Sequence, residues 1–214
     1  MRPRVPARSA RTGRGPQYAD IMIEPKLPYR FLIVCTANVC RSPMGEVLLR
    51  ARLGECGIDA IVSSSGHVGA GMLVSENSVI AMAERGLQLA NRTSVVTDAG
   101  AVGGADLILT MGREHVRKVI EVDPGAWPRT FPLRVLVRRA LEVGARGADE
   151  LFSDWVSRLH AGRRPIDIFG SNPDDEIADP MGMALGQYQK TAAVIDDLLS
   201  QLVSHAFGAA IVAR

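Results

Sequence analysis

The stretch Arg30–Glu46, RFLIVCTANVCRSPMGE, decides how the chain is read. Arg30 to Cys35 is a short apolar run rich in β-formers, the mark of a buried strand. Thr36 to Arg41 is a polar loop. Ser42-Pro43 then reads as a helix N-cap followed by the first helical residue. Met44, Val47, Leu48, Ala51 and Leu53 supply the apolar stripe of that helix, to about Gly54. A strand–loop–helix unit puts its loop at the carboxyl end of a strand, where open parallel sheets bind ligands.

Further along, Asp59–Ser64, Asp106–Met111 and Thr130-Phe131 read as three more strands. Between them lie helical stretches from Ser75 to Arg85, ended by Gly86, and from Arg113 to Val122, stopped before Pro124. Strands that alternate with helices mean βαβ units and a parallel sheet, an α/β fold. Residues 133–176 read as one or two helices with a Gly- and Pro-containing exit, too short and charged to hold a core of their own. A final helix spans Met183 to about Ala206, with Leu185, Tyr188, Ala192, Ile195, Leu198, Leu199 and Leu202 at helical spacing. The expected organisation is one domain over 29–206, including the 133–176 elaboration, with a tail at 207–214. Ahead of it, 1–28 carries Arg2, Arg4, Arg8, Arg11 and Arg14 among Pro and Gly, and reads as a disordered basic extension; a nucleic-acid arm and a transit peptide are the alternatives.

Composition narrows the function classes. At 214 residues with 47% apolar and 22% charged residues, the chain can bury a core without disulfide or metal staples. A net charge of +2 gives no whole-chain reason to expect nucleic acid as a partner. The longest apolar runs, Phe31–Cys35 and Ala206–Ala213, fall far short of the ~20 residues a membrane span needs. Cys35, Cys40 and Cys56 are too few, and too close to one end, for a disulfide framework, and suit a reducing cytoplasm. The four histidines are scattered, so no metal site and no cofactor is expected, and each His reads as a surface or packing residue.

The loop is where the chemistry lies. A helix N-terminus presents unpaired N–H groups and a positive dipole end to an anion, and a curled loop adds inward amides. Arg41 contributes a planar fork suited to two oxyanion oxygens. Cys35, at the start of the loop, sits beneath such an anion, in the electropositive setting in which a cysteine acts as a nucleophile.

VCTANVCRSPMGE resembles the phosphate-binding loop of the low-molecular-weight protein tyrosine phosphatases. The resemblance runs from about Arg30 to Leu202, through Ser65-Gly66, Glu84-Arg85-Gly86-Leu87, Asp106–Met111 and Asp179-Pro180. It implies a four-stranded parallel sheet of order 2-1-3-4 with helices on both faces. It also implies a phosphatase that hydrolyses phosphotyrosine or similar aryl phosphates, on a protein or a small molecule. In that mechanism Cys35 forms a cysteinyl-phosphate, Arg41 clamps the oxyanion and Asp179 is the general acid and base. Thr36, Ala37, Asn38, Val39, Cys40, Ser42 and Met181 are its substrate-binding positions. Ser42 is expected to donate to the Cys35 sulfur and Asn38 to take the left-handed turn; Asp174, Asp175 and Glu176, if they stay close in space, favour the acid form of Asp179 by their charge. Cys40 is either a reversible disulfide partner for Cys35 or a small buried residue.

Departures from the family pattern are Ala37 where Gly is usual, Met181 where an aromatic follows Asp-Pro, no Trp or Tyr over His67–Ala70, Asn91 where relatives often have a His supporting the loop Asn, and a longer approach to Asp179. Two other functions stay open: an arsenate reductase on the same fold using a small external thiol, and a non-enzymatic phosphate-binding module. A protein-arginine phosphatase is a variant of the first reading; Val39, where its relatives carry Thr, argues for the tyrosine side. The sequence leaves the oligomeric state unknown.

Overall fold

The computed structural model of the protein describes residues 28–212 apart from 90 and 171. The expectation of a disordered extension over 1–28 therefore falls, but for Pro28, outside the described residues. Four strands, β1 (Tyr29–Cys35), β2 (Ala60–Gly66), β3 (Leu107–Thr110) and β4 (Thr130–Pro132), form one parallel sheet in the order β2-β1-β3-β4. Among the described residues seven α-helices surround it: α1 (Arg41–Glu55), α2 (Glu76–Ala83), α3 (Ala99–Gly104), α4 (Arg113–Val122), α5 (Leu133–Val143), α6 (Phe152–His160) and α7 (Leu185–Val212).

The alternation of side chains along β1 sorts the two layers. Phe31, Ile33 and Cys35 point into the larger core, with residues of α1, α5, α6 and α7. Leu32 and Val34 point the other way, onto Val102 of α3 and Val119 of α4. The strand is therefore apolar throughout, as the centre of a sheet covered on both faces must be. The 133–176 segment adds to this core: Leu136, Val137, Ala140, Phe152, Trp155, Val156 and Leu159 are all buried in it.

Three elements differ from the sequence reading. Helix α3, with the sequence AGAVGG, carries four poor helix formers or cap residues and no amphipathic stripe; Asp98 caps it by accepting from the Ala101 N–H at 2.8 Å. Helix α7 runs past Ala206 to Val212 rather than giving way to a tail at 207. Phe207 is buried, stacks on Phe152 and meets Tyr29 edge-on, which carries the helix across Gly208. Helix α1 begins at Arg41 with Cys40 at the capping position and no side-chain cap, because the Ser42 hydroxyl is turned into the loop instead.

The loop between β1 and α1 is pressed against the end of β2. The Thr36 carbonyl accepts from the N–H groups of His67 (2.8 Å) and Val68 (3.1 Å). A Cβ on Gly66 would lie 2.6 Å from the Asn38 nitrogen and 2.7 Å from Ala37 C and Thr36 O, all backbone atoms with nowhere to go. Only a glycine allows this approach. Gly66→Ala is therefore expected to destabilise the protein by about 1–3 kcal/mol in urea unfolding and to weaken phosphate binding with it; a variant as stable and as tight-binding as the parent would mean that the loop does not rest on β2.

Candidate active site

The loop turns on Asn38. It has φ of 54°, the left-handed region that Asn tolerates better than other non-glycine residues. Ala37 is not among the positive-φ residues, so its Cβ is accommodated without strain. The Asn38 side chain is fully used. Its amide donates to Ser42 Oγ and Ser64 Oγ, both at 2.9 Å, and its carbonyl accepts from the Val95 N–H at 2.9 Å. Asn91 is not the support of this residue; Ser64 and Val95 are. Ser64 in turn donates to Glu46 at 2.7 Å, and Glu46, buried on α1, also takes Arg50 and Arg92.

Cys35 is buried at the end of β1, and its sulfur lies 3.0 Å from Ser42 Oγ. Ser42 accepts from Asn38 and also sits 3.2 Å from the Ser65 carbonyl. Its single hydrogen thus has two acceptors to serve, and a thiolate is the stronger of them.

Arg41 is buried, and its NH1 donates to the Ile177 carbonyl at 3.2 Å. Its NH2 donates to Thr36 Oγ1 at 3.0 Å and pairs with the half-exposed carboxylate of Asp179. Its Nε is buried without a partner among the described residues. A buried N–H that lacks an acceptor is costly, and an oxyanion would satisfy it. Cys35, Ala37, Val39, Cys40, Arg41, Asp179 and Met181 line one small cleft of about 10 Å³. The ion pair between Arg41 and Asp179 spans that cleft.

Thr36 shares its hydroxyl between Arg41 and His115 Nε2, 3.1 Å away. His115 is buried, and burial, aided by the Arg41 charge, pushes its pKa down to about 3, so the ring is neutral at ordinary pH. It is not the plain packing residue that scattered histidines suggested. Nothing in its spacing announced the contact, which arises only when α4 is laid beside the loop. Tyr188 of α7, read from its spacing as core, is the second such residue. Its hydroxyl lies 3.8 Å from Cys40 Sγ and accepts from Ser75 Oγ at 3.2 Å. Cys40 also lies 3.9 Å from the Met181 sulfur, and burial pushes its thiol pKa up. All three cysteines are free.

Two of the acidic residues ahead of Asp179 have partners on α4 and α5. Asp175 is buried and bonded to Arg113 (2.5 Å) and Arg138, and Glu176 accepts from the Arg113 N–H at 3.0 Å. Among the described residues no cluster of His, Cys, Asp or Glu could hold a metal ion, and no helix is long and apolar enough to cross a membrane.

Residues 30–138 match the family model of the low molecular weight phosphotyrosine protein phosphatases. The chain is 25% identical over 178 residues to a probable low molecular weight protein-tyrosine-phosphatase, AmsI, of Erwinia amylovora, covering 81% of this chain and 94% of that one. It is 27% identical over 177 residues to a protein-arginine-phosphatase of Geobacillus stearothermophilus, covering 82% and 95%. The crystal structure of a low molecular weight protein tyrosine phosphatase from T. tengcongensis superposes with a TM-score of 0.62 at 26% identity, over 83% of this chain and 99% of that one. With its β2-β1-β3-β4 sheet and the Cys35-to-Arg41 loop at the carboxyl end of β1, the chain belongs to the low molecular weight phosphotyrosine protein phosphatase family and is a phosphatase.

Proposed function

We propose that the protein hydrolyses phosphotyrosine or a similar aryl phosphate through a cysteinyl-phosphate on Cys35. The observation that carries this reading is the state of Arg41: a buried guanidinium whose only carboxylate partner among the described residues is Asp179 and whose Nε has no partner among them. An incoming phosphate dianion is a better partner for that fork than one carboxylate oxygen. It takes Arg41 and releases Asp179. A dianion beside the freed carboxylate favours its protonated form, which is what a general acid needs.

The Cys35 sulfur then attacks phosphorus. The bond from phosphorus to the leaving oxygen breaks, and Asp179 gives that oxygen its proton. Arg41 and the loop amides hold the three equatorial oxygens as charge spreads over them. In the second step Asp179, now a carboxylate, takes a proton from water, the water oxygen bonds to phosphorus, and the sulfur leaves as a thiolate. Ser42, 3.0 Å from that sulfur, donates to it as it departs. Val39 and Met181 line the cleft where the leaving group must lie. Apolar and thioether walls suit an aromatic ring, which favours the aryl ester over phosphoarginine, the group named for one relative. The names of the relatives also favour hydrolysis over arsenate reduction.

Turnover of phosphotyrosine, phosphoarginine and arsenate plus thiol, measured side by side, tests the assignment; greater activity on either of the last two would displace it. Cys35→Ser should abolish turnover while vanadate still binds, since Arg41 and the backbone remain; substantial residual turnover would mean another nucleophile. Asp179→Asn should cost roughly two to four orders of magnitude on phosphotyrosine and far less on 4-nitrophenyl phosphate, whose leaving group scarcely needs a proton. Equal losses on both would remove Asp179 from the acid role. Peroxide should inactivate the protein reversibly through a Cys35–Cys40 disulfide; if Cys40→Ser recovers with thiol as fully as the parent, Cys40 protects nothing.

A further inference from the structure

We propose that Arg113 and Arg138 are positioning residues for the general acid: by gripping the buried carboxylate of Asp175 they anchor the segment that carries Asp179. The proposal rests on the acid role of Asp179 given above. Asp175 is 1% exposed, in a stretch with no regular structure beyond one short 3₁₀ turn at Pro173–Asp175. Both of its oxygens are taken, Oδ2 by Arg113 Nε at 2.5 Å and Oδ1 by Arg138 NH2.

The grip extends through every residue up to the acid. Arg138 NH1 donates to the Asp174 carbonyl at 2.9 Å, and Arg134 Nε to the Glu176 carbonyl at 3.0 Å. The Glu176 carboxylate accepts from the Arg113 N–H and fills the space over Gly112, where a Cβ would lie 1.5 Å from its Oε2. Ile177 donates to the Met111 carbonyl at 2.8 Å, and the Ala178 carbonyl accepts from Thr191 at 3.4 Å. Next comes Asp179, whose side chain is 43% exposed and is held by Arg41 and the Met181 N–H.

A buried ion pair is a poor way to gain stability, since well-packed apolar residues of the same volume serve as well or better. What a carboxylate held by two guanidinium forks does supply is a fixed position. The forks come from α4 and α5, which start at the carboxyl ends of β3 and β4, so the acid is referenced to the same sheet edge as Cys35. General acid transfer needs donor and acceptor within about 2.6–3.2 Å, and a displacement of about 1 Å can cost about a hundredfold.

The test measures Asp175→Asn and Arg138→Ala on phosphotyrosine and on 4-nitrophenyl phosphate, with vanadate inhibition as the readout of an intact loop. The expected result is a fall in kcat on phosphotyrosine of about 10- to 100-fold for Asp175→Asn. The loss on 4-nitrophenyl phosphate should be far smaller, with unchanged vanadate inhibition. Added to Asp179→Asn, Asp175→Asn should cost nothing further on phosphotyrosine, because the two changes disable one device. Equal losses on the two substrates, or a full additional loss in the double variant, would show that Asp175 is structural only. Should Asp175→Asn fail to fold, Arg138→Ala removes one half-exposed fork and must show the same selectivity at smaller size. A selective Asp179→Asn beside a non-selective Asp175→Asn overturns the clamp alone; a non-selective Asp179→Asn overturns the acid reading, and the clamp with it.

Discussion

The constraint on which the structure depends is a reversal of the chain inside the protein. Between Cys35 and Arg41 the backbone passes from a strand buried on both faces into a helix whose first nine residues are all buried. Much of that turn is buried, so most of its polar groups find partners within the fold. Asn38 supplies most of the answer. It takes the one backbone conformation a tight turn requires and spends every hydrogen-bonding atom of its side chain on the elements around it. Ser64 passes that order on to Glu46, and Glu46 to Arg92.

Magnitudes separate the ion pairs that matter from those that do not. Pairs such as Arg164–Asp167 and Lys118–Glu121 join exposed groups, and such pairs contribute about 0–1 kcal/mol. Glu46 is different, because its carboxylate is buried between Ser64 and two arginines. Removing the partners of a buried carboxylate costs about 3–5 kcal/mol, so the Glu46 network fixes the loop rather than decorating the surface. Its effect on function follows directly. A loop that is already ordered when empty has no reorganisation left to do when the anion arrives, and electrostatic stabilisation is strongest when the donors are in place beforehand.

The sequence made the sheet and the loop from Cys35 to Arg41 legible, because both are written locally. A continuous apolar run followed by a polar loop and a helix start is a statement about neighbours in the chain. The strand order, by contrast, came from the resemblance. So did Asp179, which lies 138 positions from Arg41 and meets it only in the folded chain. What escaped the reading is what depends on packing between distant elements. His115 stands on an ordinary amphipathic helix, and its bond to Thr36 exists because α4 lies against the loop. Tyr188 occupies a core position of α7, and only its hydroxyl, at the tip, reaches Ser75 and Cys40. Ser42 looked like a helix cap since Ser-Pro is a good one, but the site had a stronger claim on its hydroxyl. The acidic triplet 174–176 looked like negative charge beside Asp179; the two arginines that hold Asp175, and the Arg113 N–H from which Glu176 accepts, belong to α4 and α5, which local spacing does not reveal.

The same contrast explains the long approach to Asp179. A general acid must be free enough to change partners, from Arg41 to the leaving oxygen, yet placed within a few tenths of an ångström when it does. A loop hung between helices cannot meet both demands at once. Here they are divided along the chain. Residues 174–178 are tied at each step to α4, α5, α7 and the end of β3, while Asp179 and Met181 stand half exposed at the cleft. The helices of the 133–176 segment bury one face in the common core and turn Arg134 and Arg138 toward this stretch. The segment therefore joins the core on one side and, on the other, the arm that carries Asp179, the proposed general acid, so the fit between them is set by the packing of α5.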